Sequence, residues 1–326
     1  MKILITGANG FIGNSLTRAM IDNSFAVICA VRNLSSNIQS MSDSIELHQI
    51  GCIDRNTNWQ HALNGVDTIV HCAGRAHVMK EEAVDPLAIY REVNVHGTVR
   101  LANQAAIAGV KRFVFLSSIK VNGEITPDGV PFSELSLPEP SDAYGLSKLE
   151  AESALFKISS LTGMEVVVIR PSLVYGPGIK GNFLNLIRLV QSGLPLPFGA
   201  LNNKRSFVAL ENLISFIVLC SNRILSPLAA NNVFLVSDNE DTSTTNLIRK
   251  IADAGQFSCR LLPIPESILR ASAAIIGKHD ISQRLFGNLQ VDTMKAITLL
   301  GWKPEINMDE QLRKIFINPK HFHDII

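Results

Sequence analysis

One stretch near the start limits the fold more than any other. Met1-Lys2-Ile3-Leu4-Ile5-Thr6 is a short apolar run that breaks into Gly7-Ala8-Asn9-Gly10-Phe11-Ile12-Gly13. Phe11, Ile12, Leu16, Ala19 and Met20 then recur at helical spacing. The order is strand, glycine turn, helix. In such a turn the first glycine permits a tight bend and the second lets backbone approach a pyrophosphate. The third lets the helix pack closely on the strand. The helix start then offers unpaired N–H groups to phosphate. An ordinary glycine loop is the plain alternative, and the position directly after the first strand argues against it.

The rest of the first half repeats this rhythm. Apolar runs at 2–6, 25–31, 45–50, 67–72, 112–117 and 165–169 alternate with helical stretches. Such alternation predicts an α/β fold of Rossmann type, a doubly wound parallel sheet wrapped by helices. Beyond Pro171 the elements shorten and are broken by Gly193, Pro195, Pro197 and Gly199. Helices are expected near 209–222, 243–254 and 264–277, and a strand near 232–236. The chain thus divides into a dinucleotide-binding domain, 1–170, and a smaller α/β substrate lobe, 171–326. Ligands collect at the carboxyl edges of parallel strands, where Gly7, Ala73, Ser118 and Ser172 all fall.

Tyr144 and Lys148 supply chemistry to that edge. On a helix, residues four apart share a face. A free phenol titrates near ~10, and bringing it to ~7 needs about 4 kcal/mol of preference for the phenolate. One ammonium at roughly 4–5 Å and an effective dielectric of ~20 supplies about 3–4 kcal/mol. Lys148, helped by a cationic cofactor ring, is therefore expected to acidify Tyr144, while Ser118 binds the same substrate oxygen. A helix carrying a solvated tyrosine and lysine is the alternative, and the glycine turn tells against it.

Composition removes several classes. Lys plus Arg number 30 against 29 Asp plus Glu, so no field favours nucleic acid or an anionic membrane. No apolar run is long enough to span a bilayer, and the first is too short for a signal peptide. The five cysteines are scattered, with no Cys-x-x-Cys, which points to a reducing cytosol. Eight histidines include no His-Glu-x-x-His, and no metal site is expected. His71 reads as a core residue, and His77, after the Ala73-Gly74 turn, as a pocket residue.

Together these residues resemble the short-chain dehydrogenase/reductase superfamily, in its extended branch of nucleotide-sugar epimerases, dehydratases and reductases. The Gly-x-x-Gly-x-x-Gly spacing is that branch's form. Val66-Asp67-Thr68-Ile69-Val70-His71-Cys72-Ala73-Gly74 resembles the fourth strand and the turn under the cofactor. Asn94-Val95-His96-Gly97-Thr98 is similar to the helix start that follows it. Arg112 to Ser118 resembles the fifth strand with its catalytic serine, and Arg170 to Gly178 the segment that walls the nicotinamide. Arg205-Ser206-Phe207-Val208 and Leu300-Gly301-Trp302-Lys303-Pro304 resemble two later signatures.

The resemblance implies a catalytic trio of Ser118, Tyr144 and Lys148. It implies that Gly7, Asn9, Gly10, Phe11, Ile12 and Gly13 hold the dinucleotide. Arg32, Cys52, Ile53, Cys72, Ala73, Gly74, Asn94, Pro171 and Ser172 would surround it, with Tyr144 and Lys148 at its reactive end. A UDP-sugar would meet His77, Ser118, Asn122, Tyr144, Asn182, Phe183, Arg205 and Arg284. The family also implies a homodimer, and chain crossings between the lobes.

Two departures shape the functional expectation. No acid stands between Asp22 and Asp43, where NAD-binding folds place one for the ribose hydroxyls. Arg32 occupies that edge instead, and a guanidinium pairs with a 2′-phosphate. NADP(H) is favoured on this ground, with NAD(H) as the alternative. Cys52 stands where the family commonly has an Asp for the adenine. Because cells keep NADP reduced, the leading expectation is a UDP-4-keto-sugar reductase of surface polysaccharide synthesis. The alternative is a UDP-hexose or UDP-N-acetylhexosamine 4-epimerase with tightly bound NAD. A dehydratase lacks its Asp-Glu pair, since Ile119-Lys120 follow Ser118. A non-catalytic dinucleotide sensor would not need the trio.

Overall fold

Strand β1 (Lys2–Thr6) explains the architecture in miniature. Ile3, Leu4 and Ile5 are all fully buried, on alternating faces of a strand covered on both sides. The chain turns at Gly7 into α1 (Phe11–Asp22), whose Leu16 and Met20 press back on the sheet. The structure, a computed structural model, describes residues 1–34, 38, 44–75, 85–275, 283 and 285–317.

The strands continue as β2 (Ala26–Val31), β3 (Ile45–Gln49), β4 (Thr68–His71), β5 (Arg112–Leu116) and β6 (Glu165–Pro171). They are followed by β7 (Leu173–Tyr175), β8 (Arg205–Ala209), β9 (Asn232–Val236) and β10 (Asp241–Thr242). Seven form one parallel sheet, in the order β3-β2-β1-β4-β5-β6-β9. The order reverses between β1 and β4, so the crevice at their carboxyl ends is the switch point where ligands bind in such sheets.

Alternation divides the core. Ile3, Ile5, Val27 and Val114 face α1 and a later helix, α6. Leu4, Ile28, Ile69 and Phe113 face the opposite layer. That layer begins with α2 (Pro86–Arg91), a π turn (Glu92–Gly97) and α3 (Thr98–Ile107), and ends with the long α4 (Ala143–Thr162). His71 lies between Thr6 Oγ1 at 2.7 Å and Thr98 Oγ1 at 3.0 Å. Burial pulls its pKa down to about 3, so it is a neutral core residue.

Beyond Pro171 the chain feeds both layers. β9 pairs with β6 at the edge of the large sheet, and α6 (Leu210–Ser221) covers one of its faces. The second sheet, β10-β8-β7, packs with α5 (Gly181–Gln191), α7 (Thr244–Gly255) and α10 (Met308–Ile317) around Tyr175, Ile187, Phe207, Ile251 and Leu312. Between α7 and α10 run α8 (Glu266–Ile275) and α9 (Met294–Leu300). No helix among the described residues is long and apolar enough to cross a membrane.

Candidate active site

The glycine turn is shaped by close approach. Gly7 has φ +70°, and a Cβ there would lie 2.8 Å from Ala73 N. A Cβ on Gly13 would lie 2.1 Å from Gly7 O. Gly10, the N-cap of α1, has no side chain to satisfy the helix's first N–H groups. Asn9 Nδ2 donates to Asn33 O at 2.6 Å and ties this loop to the end of β2. Arg32 stands exposed at the same edge.

The opposite wall comes from β4 and the π turn. Ala73 N donates to Thr6 Oγ1 at 3.2 Å, which draws the strand ends together. Asn94 is buried below: its Oδ1 accepts Arg75 N at 2.8 Å, and its Nδ2 donates to Ser147 Oγ at 3.0 Å. Asn94 thus fixes the floor to α4 rather than lining the cleft.

Asp142 starts α4 by accepting from Gly145 N at 2.7 Å. Tyr144 and Lys148 follow one turn apart on the face that meets β5. Lys148 is buried, donates to Leu116 O at 2.9 Å and lies 5.9 Å from the Tyr144 ring centre. Ser118 leaves β5 extended; its Oγ accepts from Lys120 N at 3.2 Å and favours the Tyr144 phenolate. These groups line a cleft of about 370 Å³ together with Gly7, Gly10, Phe11, Ile12 and Gly13. Cys72, Gly74, Pro171 and Ser172, also expected, line it, whereas the expected Asn9, Arg32, Cys52, Ile53, Ala73 and Asn94 are not among its lining residues. Arg75, Leu116, Ser117 and Val174 also line it and were not anticipated. Arg75 directly follows the Ala73-Gly74 turn, and that position is its only sequence signal.

The electrostatics reverse one expectation. Burial pushes the Tyr144 phenol up to about 12; Ser118 opposes this without winning, and Asp142 and Tyr90 add to it. Burial pulls the Lys148 ammonium down to about 8, partly offset by Cys72 and Glu152. The protein's own groups therefore hold Tyr144 as a proton donor. Desolvation of a phenolate in this crevice outweighs what the surrounding side chains offer it.

The expected substrate contacts mostly lie elsewhere. Asn122 is a correction: it is buried, and its Oδ1 accepts Arg170 Nη1 at 3.0 Å. Phe183 is another, packed in the interior 5.6 Å from the Tyr175 ring. Asn182 is exposed at the start of α5. Arg205 donates to Gly287 O at 3.0 Å, away from the cleft lining. His77 and Arg284 lie outside the described residues. Cys52 is exposed, and Ile53 packs against Gly97. Nearby, Asp54 Oδ1 accepts from Asn56 N at 2.8 Å and Thr57 Oγ1 at 3.1 Å. Among the described residues no three His, Cys, Asp or Glu gather as a metal site.

The residues present fit a nicotinamide dinucleotide. The cradle is one that side chains at Gly7 or Gly13 would fill. The buried Ser172 Oγ, in the cleft lining, has no hydrogen-bond partner among the described residues. Hydride exchange at a carbinol or carbonyl needs a dry cleft, a phosphate cradle and a positioned proton donor, and the class is a nicotinamide-dependent oxidoreductase of the short-chain dehydrogenase/reductase type.

Comparison with known proteins narrows the class. Residues 3–231 match the model of the NAD dependent epimerase/dehydratase family, and the chain belongs to that family. It is 45% identical over 315 residues to a UDP-glucose 4-epimerase of Vibrio cholerae, covering 96% of this chain and 94% of the relative. It is 27% identical to a GDP-6-deoxy-D-mannose reductase of Pseudomonas aeruginosa, with 96% and 95% covered. Among solved structures, UDP-glucose 4-epimerase of Thermotoga maritima with UDP-glucose superposes with TM-score 0.76 at 20% identity, over 99% of each chain. UDP-glucuronic acid 4-epimerase of Bacillus cereus with NAD gives TM-score 0.76 at 22% identity, over 100% and 99%. The chain is thus an enzyme of the nucleotide-sugar epimerase, dehydratase and reductase family.

Proposed function

We propose that this chain is a UDP-hexose or UDP-N-acetylhexosamine 4-epimerase that works with retained NAD. The observation that carries the reading is the near full-length relative at 45% identity, a UDP-glucose 4-epimerase. This moves the weight from the reductase, which led on sequence, to the epimerase placed second. Arg32 was the ground for the reductase, and a single exposed arginine is a slender one.

The roles follow from the residues. Gly7, Gly10 and Gly13, with the open end of α1, would hold the pyrophosphate. Lys148 would bond the nicotinamide ribose and keep a positive charge beneath the site. When bound, a nicotinamide dinucleotide supplies reversible hydride exchange at the sugar's C4. Ser118 would hold the O4 oxygen; Tyr144 would take the O4 proton as the carbinol is oxidised and return it as the ketone is reduced. It thus works as a phenolate in the first half and as a phenol in the second, the phenolate being favoured by the positive charge of a bound oxidised nicotinamide. Small side chains at Cys72, Ser117, Ser118 and Ser172 leave room for a sugar to present either face.

The test is incubation of purified protein with UDP-glucose, UDP-galactose and their N-acetylhexosamine counterparts, followed by NMR. The expected result is C4 interconversion without added cofactor. NADPH-dependent reduction of a 4-keto UDP-sugar with no interconversion would return the reductase.

Cofactor choice is tested separately. The relative solved with NAD supports NAD(H) as the working pair, and Arg32 then confers tolerance of a 2′-phosphate. Arg32→Asp is expected to weaken NADP+ binding by about tenfold or more. NAD+ affinity should stay within about twofold. Isothermal titration with both dinucleotides checks this, and an unchanged ratio refutes the role of Arg32.

A further inference from the structure

Glu152 lies one turn beyond Lys148 on α4, so Tyr144, Lys148 and Glu152 are stacked along one helix face. It is almost wholly buried, with side-chain exposure of 3%, and its partner Arg170 has 6%. Arg170 Nε and Nη2 donate to its two oxygens at 3.0 and 2.5 Å. Ser117 Oγ donates to the same carboxylate, and Arg170 Nη1 reaches on to Asn122 Oδ1 at 3.0 Å. A buried ion pair contributes little net stability, since desolvation offsets the attraction. This one holds three segments in register. Ser117 precedes Ser118, Arg170 precedes the Pro171-Ser172 wall, and Glu152 shares the helix of Tyr144 and Lys148.

We propose that Glu152 is a positioning residue for the reaction: it fixes Ser118 and the Pro171-Ser172 wall through Ser117 and Arg170, and serves as countercharge to Lys148. The proposal rests on the epimerase reading only for its turnover readout. The groups facing Lys148 are Leu116 O and the Phe115 ring from β5, His71 at the end of β4 and Cys72 just beyond it, and Asn94 across Gly74. Tyr144 and Glu152 face it from its own helix. Cys72 and, after it, Glu152 favour the charged amine, and Glu152 is the carboxylate among these groups. Its removal leaves Lys148 to lose its proton at lower pH. A reaction that needs the ammonium fails as pH rises through that value, so its basic limb must move down.

The experiment follows the ¹⁵N-labelled lysine amines by NMR across pH, with the Lys148 resonance assigned by its loss in Lys148→Met. The wild-type midpoint is expected at about 8. Glu152→Gln should lower it by roughly one unit. The basic limb of turnover should move equally, with kcat reduced more than KM. Glu152→Asp keeps the charge and should hold the midpoint near wild type. If Glu152→Gln does not fold, Arg170→Gln tests the same coupling from the other side: it leaves the Glu152 carboxylate without its ion-pair partner and should raise the Lys148 midpoint. An unmoved midpoint in the folded variant overturns the proposal, as does a Glu152→Asp midpoint as low as that of Glu152→Gln. If the wild type converts no UDP-sugar, the functional reading fails, and the amine titration still decides the role of Glu152.

Discussion

Tyr144→Phe is expected to lower turnover about a thousandfold, the scale of a lost general acid–base group. The substitution keeps the ring, which meets Tyr90 edge-on at 6.1 Å, and deletes only the hydroxyl. No neighbouring group can take over. The Ser117 hydroxyl is engaged by Glu152, burial pushes the Cys72 thiol up to about 12, and Lys148 is held by Leu116 O. Dinucleotide affinity should stay within about twofold, since the lost interaction is one made to the reacting oxygen. Turnover by NMR and affinity by calorimetry separate the two effects. Wild-type turnover in this variant would remove the mechanism. The pH behaviour has a matching sign. A phenol near 12 remains protonated through neutral and mildly alkaline pH, while Lys148 near 8 does not. Loss of rate on the alkaline side therefore reports the amine.

Gly13→Val is expected to abolish dinucleotide binding, with affinity down by about a thousandfold or more. A Cβ at this position would sit 2.1 Å from Gly7 O and 2.8 Å from Gly7 C. Both are backbone atoms of the turn, so no side chain can yield. Either the helix moves off the strand or the turn opens, and both displace the N–H groups that phosphate needs. The cost in stability should be about 3 kcal/mol, typical of overpacking at a close backbone approach. Circular dichroism in urea measures the second effect and calorimetry the first. A folded variant that still binds the dinucleotide normally would show that the glycine cradle is not the cofactor site.

The parts of the fold legible in sequence are those whose signal is local. β1, β2 and β4–β6 are buried on both faces, so each reads as a continuous apolar run. The glycine turn and the Tyr144–Lys148 spacing are equally local. What was not legible depends on distant residues. Phe183 begins α5 like any exposed aromatic, and its burial is made by Tyr175 and Phe207. Asn122 follows Ser118 closely in the chain, and it is turned inward by Arg170. The π turn at Glu92–Gly97 leaves no compositional trace, although it places Asn94 under the cleft. The upward direction of the Tyr144 shift is hidden from the sequence for a similar reason. Helical spacing reveals a nearby lysine but not how little water reaches the phenol.

The return of β9 to β6 sets an order on synthesis. Until Val236 has left the ribosome, β6 is a bare sheet border, with Val166 to Ile169 offering unpaired backbone to any passing strand. A chain cut near residue 170 would keep Gly7, Gly10, Gly13, Ser118, Tyr144 and Lys148, yet carry that sticky margin permanently. The first half is thus not a portable module: it borrows its last strand from the half that follows.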